Sequence, residues 1–221
     1  MNFLSHGRDH LHSPYLVAGT AVPDWLSVVT RRVRARSKYA EPFLDDDDAA
    51  VRDVAAGIMR HHTDDAWFHA SREFNETNLQ FAVELRDRLP GDDGFRPSFV
   101  GHILVEMLID ATLMGRDGDL ADRYYAAIES VDSDRVETIV TRMMRYAGRE
   151  QSLVGLAMTI RRFATERFLY DYADDGKLLV RLNQVMRRVG MPPLPETLLP
   201  WLADARHVID TRCDSLLRPP S

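Results

Sequence analysis

Two stretches of the chain repeat side chains that bind divalent cations, and each repeat has a four-residue step. The six residues are His61, Asp65 and His69, followed by His102, Glu106 and Asp110. A four-residue step turns an α-helix by only about 40°, so each trio shares one helix face. The spacing therefore predicts two helices with ligand-bearing faces. If the two helices face each other, their side chains would form a dinuclear metal site inside a helical bundle.

The remainder of the chain also shows helical patterning. Alternation of β-branched residues is scarce, and the Asp-Gly dipeptides at 93–94 and 117–118 fall between helical patterns. The chain has 221 residues, of which 45% are hydrophobic and 28% charged, an ordinary globular composition. We predict an all-α fold, a single bundle domain of about eight or nine helices over 1–221. The metal site would lie in 1–114, with a helical C-terminal half at 115–221.

Helix boundaries follow from proline, glycine and capping signals. The acidic cluster from Asp45 to Asp48 favours a helix start, because negative charge is stabilised at a helix N-terminus. Pro97 suits the first turn of another helix, and Pro23 predicts the end of a short one. The predicted helices cover roughly 13–22, 24–38, 47–70, 72–88, 97–114, 119–129, 133–147, 150–173, 177–189 and 195–216.

Charge and cysteine content restrict the partners and the compartment. The net charge of −6 gives no bulk attraction for nucleic acid or an acidic membrane surface. Cys213 is the single cysteine, so no intramolecular disulfide can form, which is typical of a reducing compartment. We see no signal-peptide pattern and no apolar run of about 18 residues. We expect a cytoplasmic protein with no membrane span and no nucleic-acid partner, and the sequence leaves the oligomeric state open.

Seven of the eight histidines lie in the first 102 residues, which directs the search for chemistry to the N-terminal half. In the first trio, the ligand could be His61 or its neighbour His62. His62 lies about 100° from His61 around the helix, so it borders the face that the trio shares. We favour His61 because its four-residue step to Asp65 gives the closer pair. His10 and His12 fit a surface segment, and the spacing of His6 favours neither ligation nor exposure.

The second trio interrupts a strongly apolar helix. Burying an unpaired carboxylate costs several kcal/mol, so Glu106 and Asp110 need cations or strong donors if that helix is buried. A metal ion would meet this need, and a solvated stripe on an amphipathic helix is the alternative. Asp24, which follows Pro23 at a predicted helix junction, could also aim into a cavity.

Four short segments of the N-terminal half carry family-like motifs. They are Met1-Asn2-Phe3-Leu4-Ser5-His6, Tyr15-Leu16-Val17-Ala18-Gly19 leading to Asp24, Gly57-Ile58 with His61 and Asp65, and Glu106-x3-Asp110. Over residues 1–114 these segments resemble bacterial acyl-carrier-protein phosphodiesterases, which are HD-like metal phosphohydrolases. The resemblance implies hydrolysis of a phosphodiester, with a phosphopantetheinyl carrier protein as the partner. In that family, a glycine usually occupies the place of Pro23.

The order of ligand types is also similar to that of zinc-dependent phospholipases C. The matching residues are His61, Asp65, His69, His102 and Glu106, with His6 and Asp24 in the place of earlier ligands. This resemblance implies an all-α fold with two or three divalent ions. Mixed imidazole and carboxylate ligands suit zinc first, and manganese or iron also. Asp110 has a counterpart only in the carrier-protein enzymes. Those enzymes more often have an aspartate at the position of His69 and have an apolar residue at the position of His102.

The expected mechanism is metal-assisted hydrolysis. Two ions about 3.5–4 Å apart would polarise a phosphoryl oxygen and lower the pKa of the attacking water. Asp24 and Asp65 are the candidates for a bridging ligand or for the base that orients that water. Arg31 and Arg32 begin a basic run that could bind a substrate phosphate or an acidic protein, because arginine matches phosphate geometry. The alternative for that run is a solvated helix face.

Two other functions fit the same residues. The chain could be a non-catalytic helical module that binds a metal or a partner, in which case its metal sites would be closed by protein ligands. It could also be a redox di-metal bundle, but those proteins favour Glu-x-x-His pairs at a three-residue step. The four-residue steps here favour the hydrolase.

Overall fold

The computed structural model describes residues 1–30, 33–89, 94–149 and 153–219. Over these residues the ordered elements are α-helices and short 3-10 helices without strands, which confirms the all-α prediction. The α-helices are α1 (Phe3–Gly7), α2 (Pro14–Val29), α3 (Ser37–Ala40), α4 (Ala49–Ala70), α5 (Arg72–Arg88), α6 (Pro97–Arg116), α7 (Leu120–Glu129), α8 (Ser133–Tyr146), α9 (Leu156–Glu166), α10 (Asp175–Val189) and α11 (Leu199–Leu216). The 3-10 helices are Arg8–His10, Glu41–Phe43, Phe168–Ala173 and Glu196–Leu198.

Most of the long helices lie where the sequence predicts them. Nine helices of ten residues or more occur in the described chain, as expected for eight or nine. Side chains cap the starts of two of these helices: the Ser71 hydroxyl accepts the Phe74 N–H, and the Asp132 carboxylate accepts the N–H groups of Asp134 and Arg135. At the start of α4, the Asp48 carboxylate accepts the Ala50 N–H.

The predicted helix end at Pro23 is wrong, because α2 continues through it to Val29. An internal proline removes one helical hydrogen bond, but side chains on both sides of Pro23 are buried, including Val22 and Trp25. Their burial holds the helix together. The predicted helix over 24–38 is also wrong: residues 33–36 are not helical, and α3 is a single turn.

The predicted helix over 150–173 is shorter than expected. Residues 150–152 lie outside the described residues, and α9 begins only after Gly155, whose φ is 107°. It ends at Arg167, whose φ of 45° is left-handed. The chain then continues as the 3-10 helix Phe168–Ala173. Two left-handed residues therefore delimit α9, and only glycine adopts that conformation without strain.

The contacts between Cα atoms divide the chain into two compact units. The first unit contains Met1, Phe3–Ala66 and Asp119–Arg167. The second unit contains Asn2, Trp67–Gly118 and Phe168–Ser221. Neither unit coincides with the predicted halves 1–114 and 115–221, and the single domain stays a prediction. α4 contributes its residues up to Ala66 to the first unit and its last turn to the second.

In the first unit, α2 and α4 cross at two glycines. A Cβ atom on Gly19 would lie 2.5 Å from the Val54 carbonyl oxygen, and one on Gly57 would lie 2.7 Å from the Gly19 Cα. Only glycine permits backbones to approach this closely. The aromatic core of the unit includes Trp25, whose ring lies edge-on to Phe163 at 5.4 Å.

In the second unit, α5 packs against α6, and both contact α11. α5 and α6 approach each other closely at Gly101, where a Cβ atom would lie 2.8 Å from Oδ1 of Asn78. The Trp201 ring of α11 lies edge-on to Phe81 at 5.5 Å, and its Nε1 donates to Glu84 at 2.6 Å. Among the described helices, α6 alone is long and apolar enough to cross a membrane, and 67% of the tested stretch is buried. A core helix meets the same criteria.

The helix crossing predicts a large effect of Gly57→Ala. The new methyl group would press on the Leu16 carbonyl and on the Gly19 Cα, which are backbone atoms that cannot rotate away. We expect unfolding free energy to fall by at least about 2 kcal/mol, measured by urea denaturation. Gly115→Ala is the control, because nothing lies within 4 Å of its Cβ position, so its stability should stay equal or rise. Equal stability of the two variants would contradict this packing.

Acid stability depends on Asp48, whose pKa is lowered by a hydrogen bond from Arg135 and then by the Ala50 N–H. Its contribution to stability is present above its ordinary pKa of 3.8 and is lost as pH falls through the folded pKa. Asp48→Asn keeps the cap but removes the charge. We expect this variant to melt at a lower temperature than wild type at pH 7, and the difference between the two melting temperatures to narrow below pH 3.8. Asp47→Asn is the control. A difference in melting temperature that does not change with pH would show that the Asp48 charge does not stabilise the fold.

Candidate metal centres

Six of the predicted ligands gather into two groups in the described chain. The first ligand group is His6, His61 and Asp65, and the second ligand group is His69, His102 and Glu106. In each group the candidate ligand atoms all lie within 4.8 Å of one another. The first group belongs to the first unit and the second group to the second unit.

The first ligand group joins α1 to α4. His61 and Asp65 lie one helical step apart on α4, with Nε2 of His61 3.4 Å from Oδ2 of Asp65. His6 comes from α1, and its Nε2 lies 3.4 Å from the other carboxylate oxygen, Oδ1. The two imidazole rings stack with centroids 4.4 Å apart. Two imidazole nitrogens therefore converge on one carboxylate.

The tautomer of His61 follows from its buried partner. Its Nδ1 lies 2.9 Å from the backbone carbonyl oxygen of Thr20, which can only accept a hydrogen bond. Nδ1 therefore carries the proton. Burial, together with the neighbouring His6, lowers the pKa of His61 to about 3. Its Nε2 thus presents a lone pair toward the Asp65 carboxylate at neutral pH, an arrangement that favours a cation between them.

His6 is held in the same way by a carboxylate. Its Nδ1 lies 3.3 Å from Oδ2 of Asp64, which also accepts a hydrogen bond from Nε of Arg60 at 2.8 Å. Burial lowers the pKa of His6, but the neighbouring carboxylates of Asp64 and Asp65 outweigh it and raise that pKa. The Nε2 atom is buried, and its contact with Oδ1 of Asp65 at 3.4 Å does not have the geometry of a hydrogen bond. A carboxylate behind a histidine is the arrangement that orients metal-binding imidazoles.

Asp65 is surrounded by cationic and donor groups. The α-amino group of Met1 donates to Oδ1 at 2.6 Å, and the Asp65 side chain is 27% exposed. Burial raises the pKa of Asp65, but His6, the α-amino group and His61 together hold it well below its ordinary range. The carboxylate is therefore ionised and forms the side of the first group that solvent reaches.

The second ligand group converges on one oxygen atom. Nε2 of His69 lies 2.9 Å from Oε1 of Glu106, and Nε2 of His102 lies 3.1 Å from the same oxygen. Burial raises the pKa of Glu106, but hydrogen bonds from His102 and His69 contribute to holding it well below its ordinary value. The side chains are 32%, 33% and 14% exposed, in the order His69, His102, Glu106. This group is therefore more open to solvent at its histidines than the first.

Local folding explains the second group. The Ser71 cap starts α5 directly after α4, and Asn75 Nδ2 donates to the His69 carbonyl at 2.9 Å. Phe74, in the first turn of α5, packs its ring 5.0 Å from both His69 and His102. α6 supplies His102 and Glu106 one helical step apart. The turn and the aromatic ring together hold the two imidazoles side by side.

Both groups fit a divalent cation. Each offers two imidazole nitrogens and one carboxylate, a donor set that zinc and other first-row divalent metals accept. Three protein ligands leave coordination positions open, as in catalytic rather than structural zinc sites. The buried Nε2 of His6 faces the Asp65 carboxylate at 3.4 Å without a hydrogen bond of good geometry, so a cation between them would give this polar atom a partner.

Two predicted ligands lie outside both groups. Asp24 is a half-buried residue within α2, and Asp110 is fully buried on α6, one step beyond Glu106. One step advances a residue about 6 Å along the helix axis. Of the adjacent pair on α4, His61 belongs to the first group, while Nε2 of His62 lies 2.5 Å from the Ala35 carbonyl oxygen.

The predicted substrate-binding residues Arg31 and Arg32 lie outside the described residues. The basic run that they begin continues as an irregular segment in which exposed Arg34 and Arg36 alternate with buried residues. A solvated helix face is therefore wrong for residues 33–36.

Sequence reasoning missed the residues that support the ligands. Asp64 and Arg60 hold His6, the Thr20 carbonyl holds His61, and Phe74 packs on the second group. The four-residue step from Arg60 to Asp64 is visible in the sequence as a helical ion pair. The contacts of His6 and Thr20 with α4 are long-range, and no local pattern indicates them.

Comparison of the chain with protein-family models, curated proteins and solved structures finds no match. The resemblances to carrier-protein phosphodiesterases and to zinc-dependent phospholipases C are neither supported nor contradicted by it. The function therefore has to be argued from the two ligand groups.

The support of His6 by Asp64 predicts an effect on metal affinity without loss of a ligand. Asp64→Ala should weaken zinc binding at the first group by about 10–100-fold, because the imidazole loses its orienting carboxylate. Competition with a chromogenic zinc chelator measures the change. Thr63→Ala is the control, since Thr63 is an exposed neighbour on α4 whose hydroxyl donates to the Met59 carbonyl of the same helix. An unchanged zinc affinity in Asp64→Ala would show that Asp64 does not orient His6 for metal binding.

Proposed function

We propose that the protein is a metal-dependent phosphoesterase, most simply a phosphodiesterase. The observation that carries the proposal is the first ligand group, where the oriented imidazoles of His6 and His61 converge on the ionised Asp65 carboxylate. Such a set binds a divalent cation and leaves positions for water and substrate. The second group supplies a similar set with more exposed histidines.

The residues of both groups would hold the ions. Bound divalent ions supply Lewis-acid polarisation of a phosphoryl oxygen and a lowered pKa of water. Asp65 would orient the attacking water by accepting a hydrogen bond from it, because it is the most exposed member of the first group and is ionised. Zinc is the first choice of metal, with manganese or iron as the others, and the two groups suit two ions.

The substrate would be a phosphodiester. Exposed Arg34, Arg36 and Lys38 offer positive charge for a phosphate or for an acidic protein surface. His62 links this basic segment to α4, because it contacts the Ala35 carbonyl and is the neighbour of His61 in the chain. A phosphopantetheinyl carrier protein, which the family resemblance suggests, is one substrate of this kind.

A non-catalytic metal-binding module is the second candidate. His6 and His61 are 2% and 5% exposed, and this burial limits the access of a substrate to an ion held there. The two candidates differ in the access of substrate to the ion. Hydrolysis of a small diester by the metal-loaded protein would separate them.

The test is metal analysis of the purified protein followed by assay with bis-p-nitrophenyl phosphate, with and without zinc or manganese. We expect bound metal and metal-stimulated hydrolysis, and in Asp65→Ala a loss of activity of at least about 100-fold with retained helical circular dichroism. His12→Ala is the control, because His12 is exposed and outside both groups. Metal binding without hydrolysis would favour the non-catalytic module. Absence of both would overturn the proposal.

A further inference from the structure

The two ligand groups differ in how well they are enclosed. In the first group, His6 and His61 are 2% and 5% exposed, and only Asp65 reaches solvent. In the second group, His69 and His102 are each about one-third exposed, at 32% and 33%. A competing chelator or water molecule must reach the ligand atoms before it can remove an ion. The two groups therefore present different barriers to exchange.

They also differ in how their imidazoles are fixed. In the first group, His61 bonds the Thr20 carbonyl and His6 bonds Asp64, so each ring is held at the nitrogen that does not face Asp65. In the second group, the rings of His69 and His102 bond to Glu106 itself, and Phe74 holds both rings by packing. Rings that are held by hydrogen bonds at their outer nitrogens are pre-oriented ligands and cost less to order on binding.

The first group also joins distant parts of the chain. His6 lies in α1, a helix of five residues, and its partners lie on α4, more than fifty residues later. An ion bound there would tie α1 to α4. Its release would require α1 to move away, since His6 is buried between its partners. When release requires local opening, the exchange rate falls exponentially with the free-energy cost of that opening.

We infer that the two groups are metal sites with different roles: the first retains a resident ion that also anchors α1, and the second exchanges its ion readily with solution. This inference rests on the metal binding of the proposed function and not on its hydrolytic step. The resident ion would be part of the folded state, because any ligand that binds only the native form stabilises it.

The test is release of zinc from the fully loaded full-length protein into an excess of chromogenic chelator. We expect two phases of similar amplitude, with the slow phase at least about tenfold slower than the fast one. Asp65→Asn should remove the slow phase and keep the fast one, and Glu106→Gln should do the reverse. Asp53→Asn on α4 and Glu73→Gln on α5 are the controls, since neither residue belongs to a ligand group.

Hydrogen exchange gives a second readout that does not depend on variants. Zinc should slow amide exchange in residues 3–7 by at least about tenfold, and this protection should decay with the slow phase of zinc release. A single release phase, loss of the fast phase in Asp65→Asn, or unprotected residues 3–7 would each overturn the inference. Two phases in a protein without phosphodiesterase activity would support the inference while the proposed function fails, so the two failures are distinguishable.

Discussion

The close crossing of α2 and α4 at Gly19 and Gly57 is the contact on which the first ligand group depends. Because neither glycine has a side chain, the two backbones approach until a Cβ on Gly57 would lie 2.7 Å from the Gly19 Cα. The next residue of α2 is Thr20, and its carbonyl then meets Nδ1 of His61, one turn beyond Gly57. The crossing thus selects the tautomer of a candidate ligand through a backbone atom. A larger residue at either glycine would separate the helices and release the imidazole.

Each ligand group balances one ionised carboxylate with several donors. Asp65 accepts a hydrogen bond from the Met1 α-amino group and faces the His6 imidazole, while His61 directs a lone pair toward it. Glu106 accepts from two imidazoles at a single oxygen. Partly buried carboxylates require such partners, since an unpaired one would be costly. Protons on these nitrogen atoms therefore neutralise part of the carboxylate charge that a bound divalent ion would neutralise. Metal binding would exchange these protons for one central charge, which is how imidazole–carboxylate sites couple metal affinity to protonation.

The local part of this structure could be predicted from the sequence, and the long-range part could not. The extents of α4 and α6 and the shared faces of His61 with Asp65 and of His102 with Glu106 follow from helical spacing and capping. The end of α2 that Pro23 predicts is wrong, because the burial of side chains on both sides of Pro23 outweighs one lost hydrogen bond. The place of His6 depends on packing between α1 and α4, which no periodicity encodes. The predicted face-to-face pair of trios became two groups, with Asp110 in neither.

The division of the six ligands also shows what a repeated step on a helix can and cannot specify. α4 carries His61, Asp65 and His69 at equal spacing, yet the first two join His6 and the third joins α6. The helix supplies candidates at a regular spacing, and the elements that pack on each turn decide which side chains come together as a group that could hold an ion. Five-residue α1 selects the turn at Asp65, and the Ser71 cap with Phe74 selects the turn at His69. The composition of the two ligand groups is therefore set by short elements and turns around one long helix.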